Sequence, residues 1–278
     1  MKLRGVLIGV LHPGEMGAAL GAALRAKGET VLWASSGRSD ATADRADKAG
    51  LADVVTVDQL ARRSEVIVAV CPPHAAVELA RSMPPFAGVY LDANAVSPTT
   101  ARTVAGLVTR YVDGGIIGPP PLDRGTTRLY LSGDETSLVV DLFAGTTVET
   151  RVVSDDATAA SAVKMAFAAW TKGTSALLLS VRAVARAEGV EETLLDEWRT
   201  SLPQLPEQSL AAARSAVAKG WRWVGEMTEI AATFTAAGLP DGFHRAAAEI
   251  YRRSPQAADA DVNLERVLGA ISKPSDRH

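Results

Sequence analysis

In the first half of the chain the apolar residues fall in short runs separated by glycine, proline and polar clusters. Residues 6–8, 29–34, 54–57, 65–70, 88–93, 111–118, 129–132 and 148–153 have this form and read as strands. Between them apolar positions recur at helical spacing, first at Ala18, Leu20, Ala22 and Leu24, where the run stops at Gly28. Runs that are apolar almost throughout, such as Val66-Ile67-Val68-Ala69-Val70, suit a parallel sheet covered on both faces. Strands alternating with helical segments predict a doubly wound parallel sheet. Asp58 is expected to cap a small helix ending at Arg63, and Ser97 with Pro98 behind it to start another. From Asp155 the pattern changes to long alanine-rich helical stretches. The first covers 157–187, interrupted at Gly173, and further blocks follow at about 191–200, 207–219, 221–237 and 240–253. The expected organisation is α/β, with a sheet domain over 1–154 and an all-helical domain over 155–278. Residues 272–278 are polar with a proline and are expected to be loosely held.

The first strand runs into the turn with the densest chemistry. Gly9 is expected to ease the strand's exit, and Leu11, His12, Pro13, Gly14, Glu15 and Met16 lead into the first helix. Gly14 lets backbone approach a phosphate with no Cβ in the way, and Gly17 lets the helix pack close to the sheet. The free N–H groups and positive end of the helix then face the anion. In the Rossmann-type glycine fingerprint G-x-G-x-x-G, Gly14 and Gly17 match the last two positions, and His12 stands at the first. The turn therefore reads as a dinucleotide site. After the second strand no carboxylate appears until Asp40, where an acidic residue would select the 2′-hydroxyl of NAD. Ser35, Ser36 and Arg38 stand there instead, and a guanidinium fork suits a phosphate monoester. NADP is therefore expected over NAD, although serines and an arginine also make ordinary solvated loops. Cys71, Pro72 and Pro73 end the strand at 65–70 and are expected along the dinucleotide, with Asn94 at the end of the next strand.

Composition narrows the class. Of 278 residues 47% are hydrophobic and 22% charged, with a net charge of −3, which gives no reason to expect nucleic acid or an anionic membrane as partner. No apolar run approaches the roughly 20 residues of a membrane span, and residues 1–28 read as strand and helix rather than a signal peptide. One cysteine forbids an internal disulfide and suits a reducing, cytoplasmic setting. No metal is expected. Lys164, among Ala162, Val163, Met165, Ala166 and Phe167, is the candidate general acid/base, the alternative being a surface lysine lying along an amphipathic helix. Lys172 is a secondary candidate.

The turn ending Gly14-Glu15-Met16-Gly17, the segments 92–98 and 112–118, and Lys164 come in the order seen in β-hydroxyacid dehydrogenases. Nearly the whole chain resembles that superfamily, which includes 6-phosphogluconate dehydrogenase and the imine reductases. Residues 223–227, 237–240 and 242–251 are similar to the subgroup whose C-terminal domain is like decarboxylating phosphogluconate dehydrogenase. The resemblance implies an NAD(P)-dependent oxidoreductase acting on a small molecule, with Lys164 catalytic and the helical domain forming a homodimer. Departures from the pattern bear on the substrate. Ile117 and Pro119 flank Gly118 where members acting on small hydroxy acids carry a serine and a glycine, and Phe167 and Ala168 replace two asparagines after the lysine. A larger or less polar substrate is expected, contacted by Ile117, Gly118, Pro119, Phe167 and Lys172, with Glu226 and His244 from the helical domain. Reduction of a C=N bond is the alternative reaction. A non-catalytic protein that responds to NADPH is the alternative class.

Overall fold

The computed structural model describes residues 5–256 and 264–273. The chain forms two compact units, Met1–Met165 and Ala166–His278.

The first unit is built on an eight-stranded sheet. Its strands are β1 (Leu7–Leu11), β2 (Thr30–Trp33), β3 (Ala52–Asp53), β4 (Val66–Ala69), β5 (Val89–Asp92), β6 (Tyr111–Ile117), β7 (Thr127–Ser132) and β8 (Val148–Ser154). Their order is β3-β2-β1-β4-β5-β6-β7-β8. Alternate residues point to opposite faces. Ile8, Val10, Val66, Val68, Val89 and Leu91 enter one core with Leu20 and Leu24 of α1 (Glu15–Lys27), Ala46 of α2 (Asp40–Lys48) and Phe143 of α6 (Thr136–Phe143). Leu11, Ile67, Ala69 and Tyr90 enter the other with Leu60 of α3 (Val57–Arg63), Leu79 of α4 (Ala76–Arg81) and Val104 of α5 (Pro98–Ala105). Burial of each large side chain contributes about 1.5–3 kcal/mol, so an apolar run on a central strand holds helices on both sides. The order reverses between β1 and β4, and the crevice at their carboxyl ends is where doubly wound sheets bind ligands.

Local signals act as expected at several places. Gly28 ends α1 at φ +102°, its N–H bonded to the carbonyls of Leu24 and Arg25. Ser97 caps α5 by accepting from the Thr100 N–H at 3.2 Å. Elsewhere the structure corrects the sequence reading. Gly9 lies inside β1, which runs on to Leu11; a Cβ at Gly9 would sit 2.7 Å from the Ser64 Oγ and 2.9 Å from the Leu60 Cγ, so this glycine seats α3 on the sheet rather than ending the strand. The third strand is Ala52–Asp53, not 54–57, because Val55 takes φ +68° and cannot stay extended. Thr56, accepting from the Gln59 N–H, caps α3 in place of Asp58. β7 runs antiparallel to β6 because residues 118–126 form no helix, and a return without a crossover reverses direction.

α7 (Ala159–Ala187) is continuous through Gly173 and carries the division between the units inside it. Beyond it lie α8 (Glu191–Ser201), α9 (Leu205–Ala236), α10 (Gly242–Arg253) and α11 (Leu264–Ile271). The two blocks expected at 207–219 and 221–237 are the single helix α9, since Gly220 lies beneath Tyr251 of α10 without breaking the hydrogen-bond ladder. α11 had no counterpart in the sequence reading. Of the tail expected to be loose, residues 274–278 lie outside the described residues. Among the described residues no helix is long and apolar enough to cross a membrane.

Candidate functional site

The β1–α1 turn takes its shape from three residues. His12 adopts φ +60°, the left-handed conformation for which a fingerprint glycine is normally used. For an L-residue this costs about 1–2 kcal/mol, although histidine tolerates the region better than most. A Cβ at Gly17 would stand 2.7 Å from the His12 carbonyl oxygen, so only glycine lets α1 start this close to the turn. A Cβ at Gly14 would meet nothing within 4 Å, and no side chain caps the helix there. That leaves room and an electropositive helix end facing it, and a dinucleotide pyrophosphate fits such a place. Leu11 and Pro13 are buried, Met16 half-buried and Glu15 exposed.

The loop after β2 is pinned from the β3–α3 turn. The Ser35 N–H donates to Asp53 Oδ1 at 3.2 Å and the Ser36 N–H to the Val55 carbonyl at 2.8 Å. The loop turns at Gly37 (φ +73°) and delivers Arg38, whose Nη1 lies 2.7 Å from His12 Nδ1. Burial and the facing Arg38 cation hold His12 down to a pKa of about 4, so the imidazole is neutral and accepts this hydrogen bond. The Arg38 Nε–H is buried and has no hydrogen-bond partner among the described residues. Arg45, which the sequence reading missed, brings a second cation to the turn, with its Nε 3.3 Å from the Pro13 carbonyl.

At the next strand ends, Asn94 is 2% exposed and its amide is engaged on both sides. It accepts from the Cys71 N–H and donates to Asp92 Oδ1, each at 2.5 Å, tying the end of β4 to the end of β5. Burial pushes the Cys71 thiol up to about 12, with Asp92 adding to the shift and Arg38 opposing it, so the residue stays a thiol. Pro72 is exposed, and Pro73 opens a 3-10 turn before α4. Burial pushes Asp92 up to about 7.

Lys164 is half-buried on the second turn of α7. It lies against β6 because Gly115 there has no side chain; a Cβ would meet the Ala160 carbonyl oxygen at 2.6 Å and the Lys164 Cβ at 3.0 Å. The start of α7 is held by groups that the sequence reading gave no such role. Asp113, fully buried on β6, accepts from the Ser161 N–H at 2.7 Å, the Ser161 hydroxyl at 2.6 Å and the Ser132 hydroxyl at 3.2 Å. The Ser132 hydroxyl in turn accepts from the Ala160 N–H at 2.9 Å. Burial raises the Asp113 pKa, and the hydrogen bonds from Ser161 and Ser132 oppose the rise. An aspartate inside an apolar strand was the signal that could have marked this anchor. Ile117 at the end of β6 is 4% exposed, and Gly118 (φ +125°) and Pro119 beyond it are exposed.

In the second unit Lys172 and Glu226 are brought together as an ion pair, with the Lys172 Nζ 5.6 Å from the centroid of the Trp223 ring. The Tyr251 hydroxyl donates to the Lys172 carbonyl at 2.5 Å. His244 is 5% exposed between Phe234 and Phe243, its ring centroid 4.1 Å from that of Phe234. Burial lowers its pKa, and its Nδ1 has no hydrogen-bond partner among the described residues. Phe167 is 46% exposed.

Residues 7–92 match the family described as NADP oxidoreductase coenzyme F420-dependent, and residues 185–254 match a domain of unknown function, DUF1932. An uncharacterised 28.5 kDa protein from the 7S RNA 5′ region of Methanothermus fervidus is 28% identical over 192 residues, covering 68% of this chain and 74% of that one. The solved structure of the conserved protein MTH1747, described as structurally similar to 3-hydroxyacid dehydrogenases, is 25% identical with a TM-score of 0.65, covering 89% of this chain and 98% of that one. The 3-hydroxyisobutyrate dehydrogenase of Mycobacterium tuberculosis is 19% identical with a TM-score of 0.68, covering 97% and 100%, a likeness of fold.

Proposed function

We propose that this chain, an oxidoreductase with the β-hydroxyacid dehydrogenase-like fold, binds NADP at the β1–α1 turn and uses Lys164 as general acid/base on a substrate hydroxyl or carbonyl. When bound, NADP supplies the hydride carrier. The turn's N–H groups and the positive end of α1 hold the pyrophosphate, and Ser36 and Arg38 take the 2′-phosphate. Lys164 takes the proton of a substrate hydroxyl, or returns it to a carbonyl oxygen in the reverse direction. The substrate is one with more apolar surface than a small hydroxy acid carries.

The observation that carries this reading is Arg38, whose Nη1 meets His12 in the turn that leads to an open and uncapped helix start. The test is a titration of the protein with NADPH and separately NADH, read by energy transfer from Trp33 at the end of β2. NADPH is expected to bind tighter, and Arg38→Ala to weaken NADPH about 10–100-fold, the worth of a charge-assisted hydrogen bond, while NADH changes only a few-fold. Tighter NADH binding by the native protein would overturn the assignment. Ketones and cyclic imines, offered with the preferred cofactor, then separate C=O from C=N reduction.

We also infer a homodimer through the helical unit. Ala176 and Leu179 are buried in the chain's own core, but Phe167, Trp170, Leu177 and Val184 are 46%, 73%, 47% and 63% exposed along one helix. A single stripe of that size suits a second copy. Light scattering is expected to give twice the chain mass of 29.1 kDa, and a value at 29.1 kDa would remove the dimer.

A further inference from the structure

His12 is the residue that least fits its place. The turn needs a left-handed backbone, which glycine adopts freely, yet a histidine is strained into it. What the histidine has and glycine lacks is an acceptor. Its Nδ1 receives the Arg38 Nη1–H at 2.7 Å, joining two residues 26 positions apart in the chain. Arg38 has a long side chain on an otherwise short polar loop, and without a partner it would sample many rotamers. Held through Nη1, the guanidinium stays at the turn, and a guanidinium fork is the group that pairs with two oxygens of a phosphate.

We propose that His12 is a specificity-determining positioning residue, holding the Arg38 guanidinium at the β1–α1 turn so that the chain selects a dinucleotide phosphorylated on the adenosine ribose. The inference rests on the NADP reading and adds the device that makes it selective. The place of the missing glycine is then the second half of the phosphate clamp. Arg38 supplies the charge, and His12 supplies the order.

The test compares NADPH, NADH and the fragment adenosine 2′,5′-bisphosphate on the native protein and on His12→Gly, His12→Asn, Arg38→Ala and the His12→Gly/Arg38→Ala double variant. Glycine relieves the backbone but removes the acceptor, so the NADPH-over-NADH ratio is expected to fall about tenfold, and binding of the bisphosphate with it. Asparagine tolerates the left-handed region and places its Oδ1 close to where the imidazole Nδ1 stands, so it is expected to restore most of the ratio. In the double variant the ratio is expected to be no lower than in Arg38→Ala alone, since both changes remove one coupled device. A ratio unchanged in His12→Gly, while Arg38→Ala abolishes it, overturns the role of His12 and leaves the NADP reading standing. Equal loss of NADPH and NADH in His12→Gly also overturns it, by showing a turn residue with no part in selection. No preference in the native protein, with no effect of Arg38→Ala, overturns the NADP reading and this inference together.

Discussion

Lys164→Ala is expected to lower turnover by about 10²–10⁴-fold, the range lost when a positioned general acid/base is removed, and to leave NADPH binding within a few-fold. The two effects separate because the lysine belongs to α7 over β6, whereas the turn proposed for the nucleotide lies between β1 and α1. Alanine keeps the helix and the contact over Gly115, since both Cβ atoms occupy the same place. Lys164→Arg sharpens the reading. A guanidinium keeps the charge but does not release a proton near neutral pH, so turnover is expected to stay low. Recovery with arginine would mean that charge, not proton transfer, is what Lys164 supplies. Single-turnover rates with saturating NADPH measure this step, and turnover in Lys164→Ala within a few-fold of native would remove the lysine from the chemistry.

Asp113→Ala is expected to lower unfolding free energy by about 2–4 kcal/mol, because it leaves the Ser161 N–H, the Ser161 hydroxyl and the Ser132 hydroxyl buried without their acceptor. Part of the loss is offset by removing a carboxylate whose own burial is unfavourable, as its raised pKa records. Asp113→Asn keeps an acceptor of nearly the same shape and is expected to lose about 1 kcal/mol. The alanine variant is also expected to lose turnover, since Ser161 begins the turn that carries Lys164, while NADPH affinity stays within a few-fold. Urea unfolding and steady-state kinetics on the two variants measure both effects. A stability within 0.5 kcal/mol of native in Asp113→Ala, a bound below the usual effect of a lost buried hydrogen bond, would show that the start of α7 is held by something else.

Much of the first unit was legible because its signals are local. Gly28 stops α1 by its own backbone freedom, Ser97 caps α5 with its own hydroxyl, and the apolar runs at β4 and β5 mark strands covered on both faces. The glycine turn and the absence of a carboxylate after β2 were likewise readable from order and spacing. Errors gathered where a residue answers to a distant partner. Gly9 looked like a strand end because its real reason, Ser64 and Leu60 of the α3 region, lies more than 50 positions away. Gly220 looked like a break because its neighbour Tyr251 cannot be seen from its own helix.

The sequence by itself determined the alternating α/β half, the helical half and the glycine turn between β1 and α1. Each of these depends on period, turn chemistry or a motif carried on one short stretch. Only the tertiary structure decided that β7 returns antiparallel, that Asp113 anchors α7 beneath Lys164, that Lys172 and Glu226 neutralise one another, and that His12 grips Arg38. Hydrogen bonds and ion pairs of this kind form between groups that the fold brings together, and their strength depends on the burial that the same fold creates.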